Sequence, residues 1–165
     1  RQLADFRDRR RGSGAGDTFG AQMVTIASML DDTTIGRLAA FVSAMPEVQV
    51  STSIGGDGKA GQATYTTCAA CHGVNGEGSV SLGAPRLAGM TDSYLARQFA
   101  AYASGTRGSA AGDDRGAAMR GITAGVKGDK AVRDVISYAV SLPGPATMSA
   151  TACADQLAGT CGSSR

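Results

Sequence analysis

The sequence predicts an all-α protein, and three segments carry the prediction. Near the C-terminal end, apolar side chains recur at the i, i+3, i+4, i+7 spacing of a helix with one buried face: Val132, Val135, Ile136 and Ala139. Asp57 is a residue type that caps helices, and a second helix is expected to follow it from about Gly58 to Thr67. A third helix is expected over Ser93–Ser104, which carries Tyr94, Leu95, Phe99 and Tyr102.

Composition indicates a folded chain with a thin core. Its 165 residues are 42% hydrophobic and 18% charged, which is typical of globular proteins. Aromatic residues make up only 5%, Trp is absent and Gly numbers 24, so side chains alone make a thin core for a domain of roughly 90 residues. We therefore expect something other than side chains to contribute to the core.

Charge and hydropathy argue against two classes of protein. The formal net charge of +2 does not favour a nucleic-acid binder, and the run Arg7, Arg9, Arg10 and Arg11 is interpreted as solvated surface. The best apolar run, Met23 to Leu30, is shorter than a membrane span and contains Thr25 and Ser28. The chain has neither the residue order of a signal peptide nor an initiator Met, so we expect a mature product or a fragment.

The segment CAACHGVNGEG, starting at Cys68, places two of the four cysteines and the single histidine within five residues. Cys-x-x-Cys-His is the spacing of covalent haem c attachment: Cys68 and Cys71 reach one edge of a porphyrin, and His72 ligates the iron. A structural zinc site would need a second ligand pair, but Cys153 and Cys161 lie some 80 residues away with unsuitable spacing. A thioredoxin-like pair would need a preceding strand, whereas the preceding residues predict helix.

An internal repeat points to the second iron ligand. QLADFRDRRRGSGAGDTFGAQMVTI, from Gln2, aligns without a gap with QFAAYASGTRGSAAGDDRGAAMRGI, from Gln98. After one inserted residue, IGRLAAFVSAMP also aligns with VRDVISYAVSLP. Because Met23 recurs as Met119 while its neighbours vary, Met119 is preferred over Met90 and Met148 as the thioether ligand. It lies in a Gly- and Ala-rich segment, which we expect to be a loop against the haem face.

These motifs resemble the class I cytochromes c, particularly the periplasmic two-domain dihaem family. The resemblance rests on CAACHGVNGEG, APRLAGMTDSYLARQFAAYASGTRG, GAAMRGI and the closing amphipathic helix. It implies a fold of helices wrapped around covalently bound haem, preceded by a second half-domain of the same kind. It also implies that Pro85 accepts a hydrogen bond from His72, and that the first and last helices cross at Gly61 with Tyr65 and Tyr138 nearby.

Four segments follow from the repeat and the resemblance. Residues 1–46 correspond to the C-terminal half of a cytochrome c domain that lacks CxxCH, 47–56 to a linker, 57–143 to a complete haem domain, and 144–165 to a tail. Two interpretations of the first segment remain open: Met23 ligates a second haem whose cysteines and histidine are absent from this sequence, or the half-domain binds no haem and Met23 packs in its core. In an exported protein, Cys153 and Cys161 are expected to close a small disulfide loop, with free thiols or an intermolecular bridge as the alternatives.

The expected function is periplasmic electron transfer with ferric/ferrous cycling at a His/Met-ligated haem. Expected partners are a quinol-oxidising complex as donor and a terminal oxidase or reductase as acceptor. One alternative is a cytochrome subunit of a periplasmic dehydrogenase or respiratory complex. A haem peroxidase would need an open iron position, which Met119 would close, and a haem-free binding module is the remaining alternative.

Overall fold

Seven α-helices form the part of the chain that the structure, a computed structural model, describes: residues 1–46 and 53–144. They are α1 (Gln2–Arg7), α2 (Thr18–Ala27), α3 (Asp32–Ser43), α4 (Gly58–His72), α5 (Asp92–Ala103), α6 (Asp114–Thr123) and α7 (Asp129–Ser141). The same residues contain no strand, apart from an isolated antiparallel bridge between Ser79 and Ala84. The all-α prediction is confirmed.

Helices α4 and α7 cross at Gly61. A Cβ atom added to Gly61 would lie 2.0 Å from the carbonyl oxygen of Asp134, so only glycine allows this approach. The rings of Tyr65 and Tyr138 pack next to the crossing with their centroids 5.3 Å apart. The predicted crossing and its small residue are therefore confirmed.

The crossing is the centre of the main apolar core. Tyr65, Val135, Ile136 and Ala139 are buried there, and side chains of α5 and of the loops pack around them, among them Ile54, Leu87, Leu95, Phe99 and Leu142. A second, smaller core lies in the first unit, where Phe6, Val24 and Ala27 are buried and Met23 packs against them.

The repeated sequences fold into repeated structures. Asp17 accepts a hydrogen bond from the Gly20 amide at the start of α2, at 2.8 Å, and Asp113 does the same for Gly116 at the start of α6, at 2.9 Å. Positive φ angles also recur, at Gly12 (+82°) and Gly108 (+81°). We refer to α1–α3 as the first unit and to α4–α7 as the second unit.

Helix boundaries differ from the sequence predictions in three places. The helix capped by Asp57 continues beyond Thr67 to His72, and α5 covers Asp92–Ala103. The expectation of a loop around Met119 is wrong, because residues 114–123 form α6. Asp113 caps that helix, and the Ala and Arg residues between its glycines have high helix propensity, which outweighs Gly116 and Gly121.

Two predicted segments are described only in part or not at all. Residues 53–56, the end of the predicted linker, contact the second unit: the Ile54 amide donates to Asp92 at 2.9 Å, and Gly56 lies against Arg133. Residues 47–52 and 145–165, which include the predicted Cys153–Cys161 disulfide, lie outside the described residues. Among the described helices, none is long and apolar enough to cross a membrane.

Candidate haem site

The last turn of α4 carries the three residues of the CxxCH motif. Cys68 and Cys71 are one turn apart, and His72 follows Cys68 by four residues, so Cys68 shares one helix face with both. His72 is buried, Cys68 is half-buried and Cys71 is exposed, and both cysteines are free thiols. Burial raises the pKa of the Cys68 thiol.

The ring of His72 is oriented by the loop that follows α4. Its Nδ1 lies 2.7 Å from the carbonyl oxygen of Pro85. A carbonyl can only accept, so Nδ1 carries the proton and donates it, which leaves Nε2 with a free electron pair for a metal. Burial lowers the pKa of His72, although the hydrogen bond to Pro85 partly opposes this, and the neutral ring that iron requires is favoured.

Further hydrogen bonds hold residues 73–89 against the end of α4. The Gly78 amide donates to the His72 carbonyl at 2.8 Å, and the Leu87 amide donates to Gly76 at 2.9 Å. Tyr65 donates its hydroxyl to the Gly73 carbonyl at 2.8 Å, while burial raises the pKa of Tyr65 to about 12. Pro85 is thus brought to His72 by a loop anchored at several points.

A cavity of about 290 Å³ opens beside Cys68. It is lined by residues of α4, of the end of α6, of the segment that follows α6 and of the start of α7: Thr64, Thr67, Cys68, Ile122, Gly125, Val126, Lys127 and Ala131. Helix α6 therefore faces the last turns of α4 across this space, and Met119 lies one turn before Ile122 on the same helix.

The residues present fit haem c. Two free thiols at CxxC spacing can form thioethers, and an oriented neutral imidazole follows them directly. The adjacent cavity is lined on one side by Ile122 and Val126, which suit a flat apolar cofactor. Sequence reasoning missed these lining residues, although Ile122 has a signal in the repeat because it aligns with Ile26.

The two repeated methionines occupy equivalent positions on helices. Met119 lies on α6 and Met23 on α2, and both side chains are half-buried. Met23 packs against Phe6, Val24 and Ala27. The structure thus brings Cys68, Cys71, His72 and Pro85 together, places Met119 on α6, whose Ile122 lines the same cavity as Cys68, and places Met23 in the separate core of the first unit.

Comparison with known proteins agrees with this geometry. Residues 58–143 match the family profile for cytochrome c. The fold is similar to cytochrome c4 of Acidithiobacillus ferrooxidans, with a TM-score of 0.67 and 28% identity, covering 86% of this chain and 81% of that one. It is also similar to the thiosulfate dehydrogenase TsdBA of Marichromatium purpuratum, with a TM-score of 0.66 and 27% identity, covering 86% of this chain and 30% of that one.

A curated relative matches a shorter region. It is the thiosulfate dehydrogenase electron acceptor of Thiomonas intermedia (strain K12), 48% identical over 44 residues, which is 27% of this chain and 20% of the relative's length. The profile match covers more than half of the chain and includes the whole CxxCH site. The chain therefore belongs to the cytochrome c family, as a class I, dihaem-like cytochrome with covalently bound haem c.

Proposed function

We propose that the protein is a periplasmic one-electron carrier in which His72 and Met119 are the two axial ligands of the haem iron. The observation that carries the proposal is the oriented His72 ring, whose Nδ1 is 2.7 Å from Pro85, on the same helical turn as Cys68 and Cys71. Held by Cys68, Cys71, His72 and Met119, a bound haem would supply one-electron ferric/ferrous chemistry. The protein contributes the orientation of the imidazole and an apolar cavity wall.

Pro85 is proposed as a positioning residue. A hydrogen bond to Nδ1 fixes the ring and makes Nε2 a stronger donor. Because the acceptor is a backbone carbonyl, its effect is tested through the loop that carries it: in Gly76→Ala, a Cβ would lie 3.0 Å from the Ala88 amide in a backbone with φ of +69°. We expect this variant to loosen the loop, weaken Nε2 as a donor and so raise the reduction potential, whereas Gly36→Ala, on the open surface of α3, leaves it unchanged.

Substitution of Met119 tests the axial ligand. We expect Met119→Ala to open one iron position, to lower the reduction potential and to give a high-spin ferric spectrum, because a methionine thioether favours ferrous iron. Met90→Ala is the matched control, since Met90 is also half-buried but lies outside α6. An unchanged spectrum in Met119→Ala, or a high-spin spectrum in the control alone, would contradict this ligation.

Peroxide turnover separates the carrier from a haem peroxidase. We expect the purified wild-type protein to show no turnover, because Met119 fills the position that peroxide would need. Met119→Ala then serves as the positive comparison. Turnover by the wild-type protein would favour the peroxidase alternative.

For the first unit we propose that residues 1–46 are the C-terminal half of a second haem domain, with Met23 as a ligand of a second haem. The equivalence of Met23 and Met119 supports this proposal. The packing of Met23 on Phe6, Val24 and Ala27 favours the alternative of a haem-free half-domain. The intact mass of the denatured protein from its native source distinguishes them: a heavier chain with two haems supports ligation by Met23, and this chain plus one haem supports the structural role.

A second candidate function is a cytochrome subunit of a periplasmic dehydrogenase. Its support is the similarity to a thiosulfate dehydrogenase electron acceptor and to TsdBA. Under this proposal the electron donor is a thiosulfate-oxidising enzyme, whereas a free carrier exchanges electrons with a quinol-oxidising complex and a terminal oxidase or reductase. Stable co-elution with a thiosulfate dehydrogenase supports the subunit, and rapid reduction by that enzyme without co-elution supports the free carrier.

A further inference from the structure

A pocket lies at the boundary between the two units. Its volume is about 140 Å³, and two loops line it, 10–14 from the first unit and 106–110 from the second. The two loops are counterparts in the internal repeat. We call it the boundary pocket.

Three arginines line the boundary pocket, Arg10, Arg11 and Arg107, and its lining includes no acidic residue. Arg10 pairs with Asp8, and its Nε atom is buried 3.9 Å from a carboxylate oxygen of Asp5 without a hydrogen-bond partner. Arg11 and Arg107 form no ion pair with any residue in the described part of the chain. In the described part of the chain, Arg11 and Arg107 are therefore two positive charges without a carboxylate partner, and Arg10 Nε is a donor without a hydrogen bond.

The partners of Arg11 and Arg107 are neutral and reciprocal between the units. Arg11 donates to Gln98 at 3.1 Å, and Arg107 donates to Gln2 at 3.2 Å, so each arginine reaches across the boundary. Each also donates to the glutamine of its own unit, so that each glutamine oxygen is shared by both guanidinium groups. Tyr94 supplies one more neutral acceptor to Arg11, at 3.4 Å.

Aromatic stacking fixes the direction of both guanidinium groups. The Arg11 guanidinium lies 4.5 Å from the ring centroid of Phe6, and that of Arg107 lies 4.6 Å from Tyr102. Each guanidinium has five N–H donors, of which the neutral partners take two or three, so further N–H groups remain for an oxoanion or a carboxylate. Their closeness is unfavourable without an anion: burial lowers the pKa of Arg107, and the charge of Arg11 lowers it further.

We propose that the boundary pocket binds an oxoanion or carboxylate group between Arg11 and Arg107, with Arg10 Nε as a third donor. The anion would neutralise two like charges and satisfy the buried donor, which are the two unfavourable features of this region. Because each unit supplies one of the paired arginines, the bound group would also hold the units together. Two sources have this chemistry: a free dianion from solution, or a carboxylate of the bound haem.

The test compares four forms of the holo-protein: wild type, Arg11→Gln, Arg107→Gln and Arg37→Gln. Arg37 is the matched control, because it is exposed on α3 and does not line the pocket. Thermal unfolding is measured while sulfate replaces chloride at constant ionic strength, and the reduction potential of each form is measured without sulfate.

Two results support the proposal and identify the source of the anion. For a free anion, we expect a saturable rise of Tm with sulfate in wild type and Arg37→Gln. In Arg11→Gln and Arg107→Gln, the sulfate affinity obtained from the rise of Tm should be about tenfold lower. For a haem carboxylate, we expect no sulfate response in any form. The reduction potential then falls in Arg11→Gln and Arg107→Gln alone, because loss of a positive charge near the iron favours the ferric state.

Two results would overturn the proposal. One is a sulfate response of equal size in all four forms, which would mean weak surface binding. The other is the absence of any sulfate response together with reduction potentials that match wild type. If Arg107→Gln does not fold, Arg107→Lys replaces it: a lysine keeps the charge but loses the bidentate bond, so the same two signals should be weakened but not abolished.

Discussion

The last helices of the two units differ in what covers them, although they align in sequence. On α7, Val135, Ile136 and Ala139 are each 4% exposed, because α4 lies across them. On α3, the aligned residues Leu38, Ala39 and Val42 are all exposed, Val42 to 63%. The apolar face is present in both helices, and the described first unit lacks a helix equivalent to α4. The sequence of α3 and α7 therefore specifies the apolar face, whereas the burial of that face depends on a helix such as α4 lying across it.

The largest expected effect comes from the crossing itself. We expect Gly61→Ala to destabilise the holo-protein by about 3 kcal/mol or more, because the new methyl group would lie 2.0 Å from the Asp134 carbonyl oxygen and the helices would have to separate. Gly36→Ala is the control on α3, where a Cβ meets nothing within 4 Å. There we expect a gain of about 0.5–1 kcal/mol from helix propensity. Urea unfolding followed by circular dichroism measures both, and equal effects would contradict the comparison.

The second prediction concerns the apolar faces. We expect Ile136→Ala to cost about 2–3 kcal/mol, because Ile136 is buried between α4 and α7 and its loss leaves a cavity. Leu38→Ala removes a side chain that is already 39% exposed, so it should cost less than about 1 kcal/mol. The same urea experiment compares them. A loss at Leu38 as large as at Ile136 would mean that the α3 face is covered in solution.

The third prediction concerns Asp134, whose counterpart in α3 is Arg37. The Asp134 carboxylate accepts hydrogen bonds from the Lys130 ammonium at 2.6 Å and from the Asp57 amide at 2.8 Å, and these two bonds lower its pKa. A lowered pKa in the folded state contributes stability above the unfolded value of about 3.9, and this contribution is lost as pH falls through the folded pKa.

We therefore expect Asp134→Asn to be less stable than wild type at pH 7, by less than Ile136→Ala, and the difference to shrink as the pH falls below about 4. Urea midpoints between pH 7 and pH 3 measure this convergence. Arg37→Gln is the control, because Arg37 is exposed on α3 and carries no carboxyl group, and its difference from wild type should change less over that range. If the stability difference between Asp134→Asn and wild type stays constant with pH, the charge of the Asp134 carboxylate does not contribute to stability.

How much could be predicted from the sequence depended on the range of the interaction. The Cys68, Cys71 and His72 turn and the Asp57 cap followed from local spacing, and the Gly61 crossing followed from the resemblance to class I cytochromes c. The structure contains the cap and the crossing as predicted. The α6 prediction failed because Gly116 and Gly121 were read as loop residues, although Asp113 caps the helix.

Long-range polar contacts could not be predicted from the sequence. Asp92 is only 2% exposed and accepts the Ile54 amide from a segment 38 residues away. The hydrogen bond from Arg107 to Gln2 joins residues that are 105 positions apart in the sequence. The repeat shows that the glutamine and the arginine recur, since Gln2 aligns with Gln98 and Arg11 with Arg107. It does not predict that these four side chains contact one another, which depends on how the units pack.

The smallest expected effect lies where the repeat changes residue type but keeps the backbone. Arg9 has a φ of +58° and its counterpart Gly105 a φ of +78°, both in the left-handed region. A side chain in this region costs about 1 kcal/mol, which glycine avoids. Arg9→Gly should therefore raise the free energy of unfolding by about 0.5–1 kcal/mol, since the Arg9 side chain is exposed.

Gly105→Ala is the reverse experiment, and it should lower the free energy of unfolding by about 1 kcal/mol. In both turns the hydrogen-bond acceptor is a backbone carbonyl: Ser13 donates to the Arg9 carbonyl at 2.8 Å, and Ser109 donates to the Gly105 carbonyl at 2.6 Å. Neither substitution removes them, so the two effects should be opposite in sign. Effects of the same sign would mean that the side chains, rather than the shared backbone conformation, decide the stability of these turns.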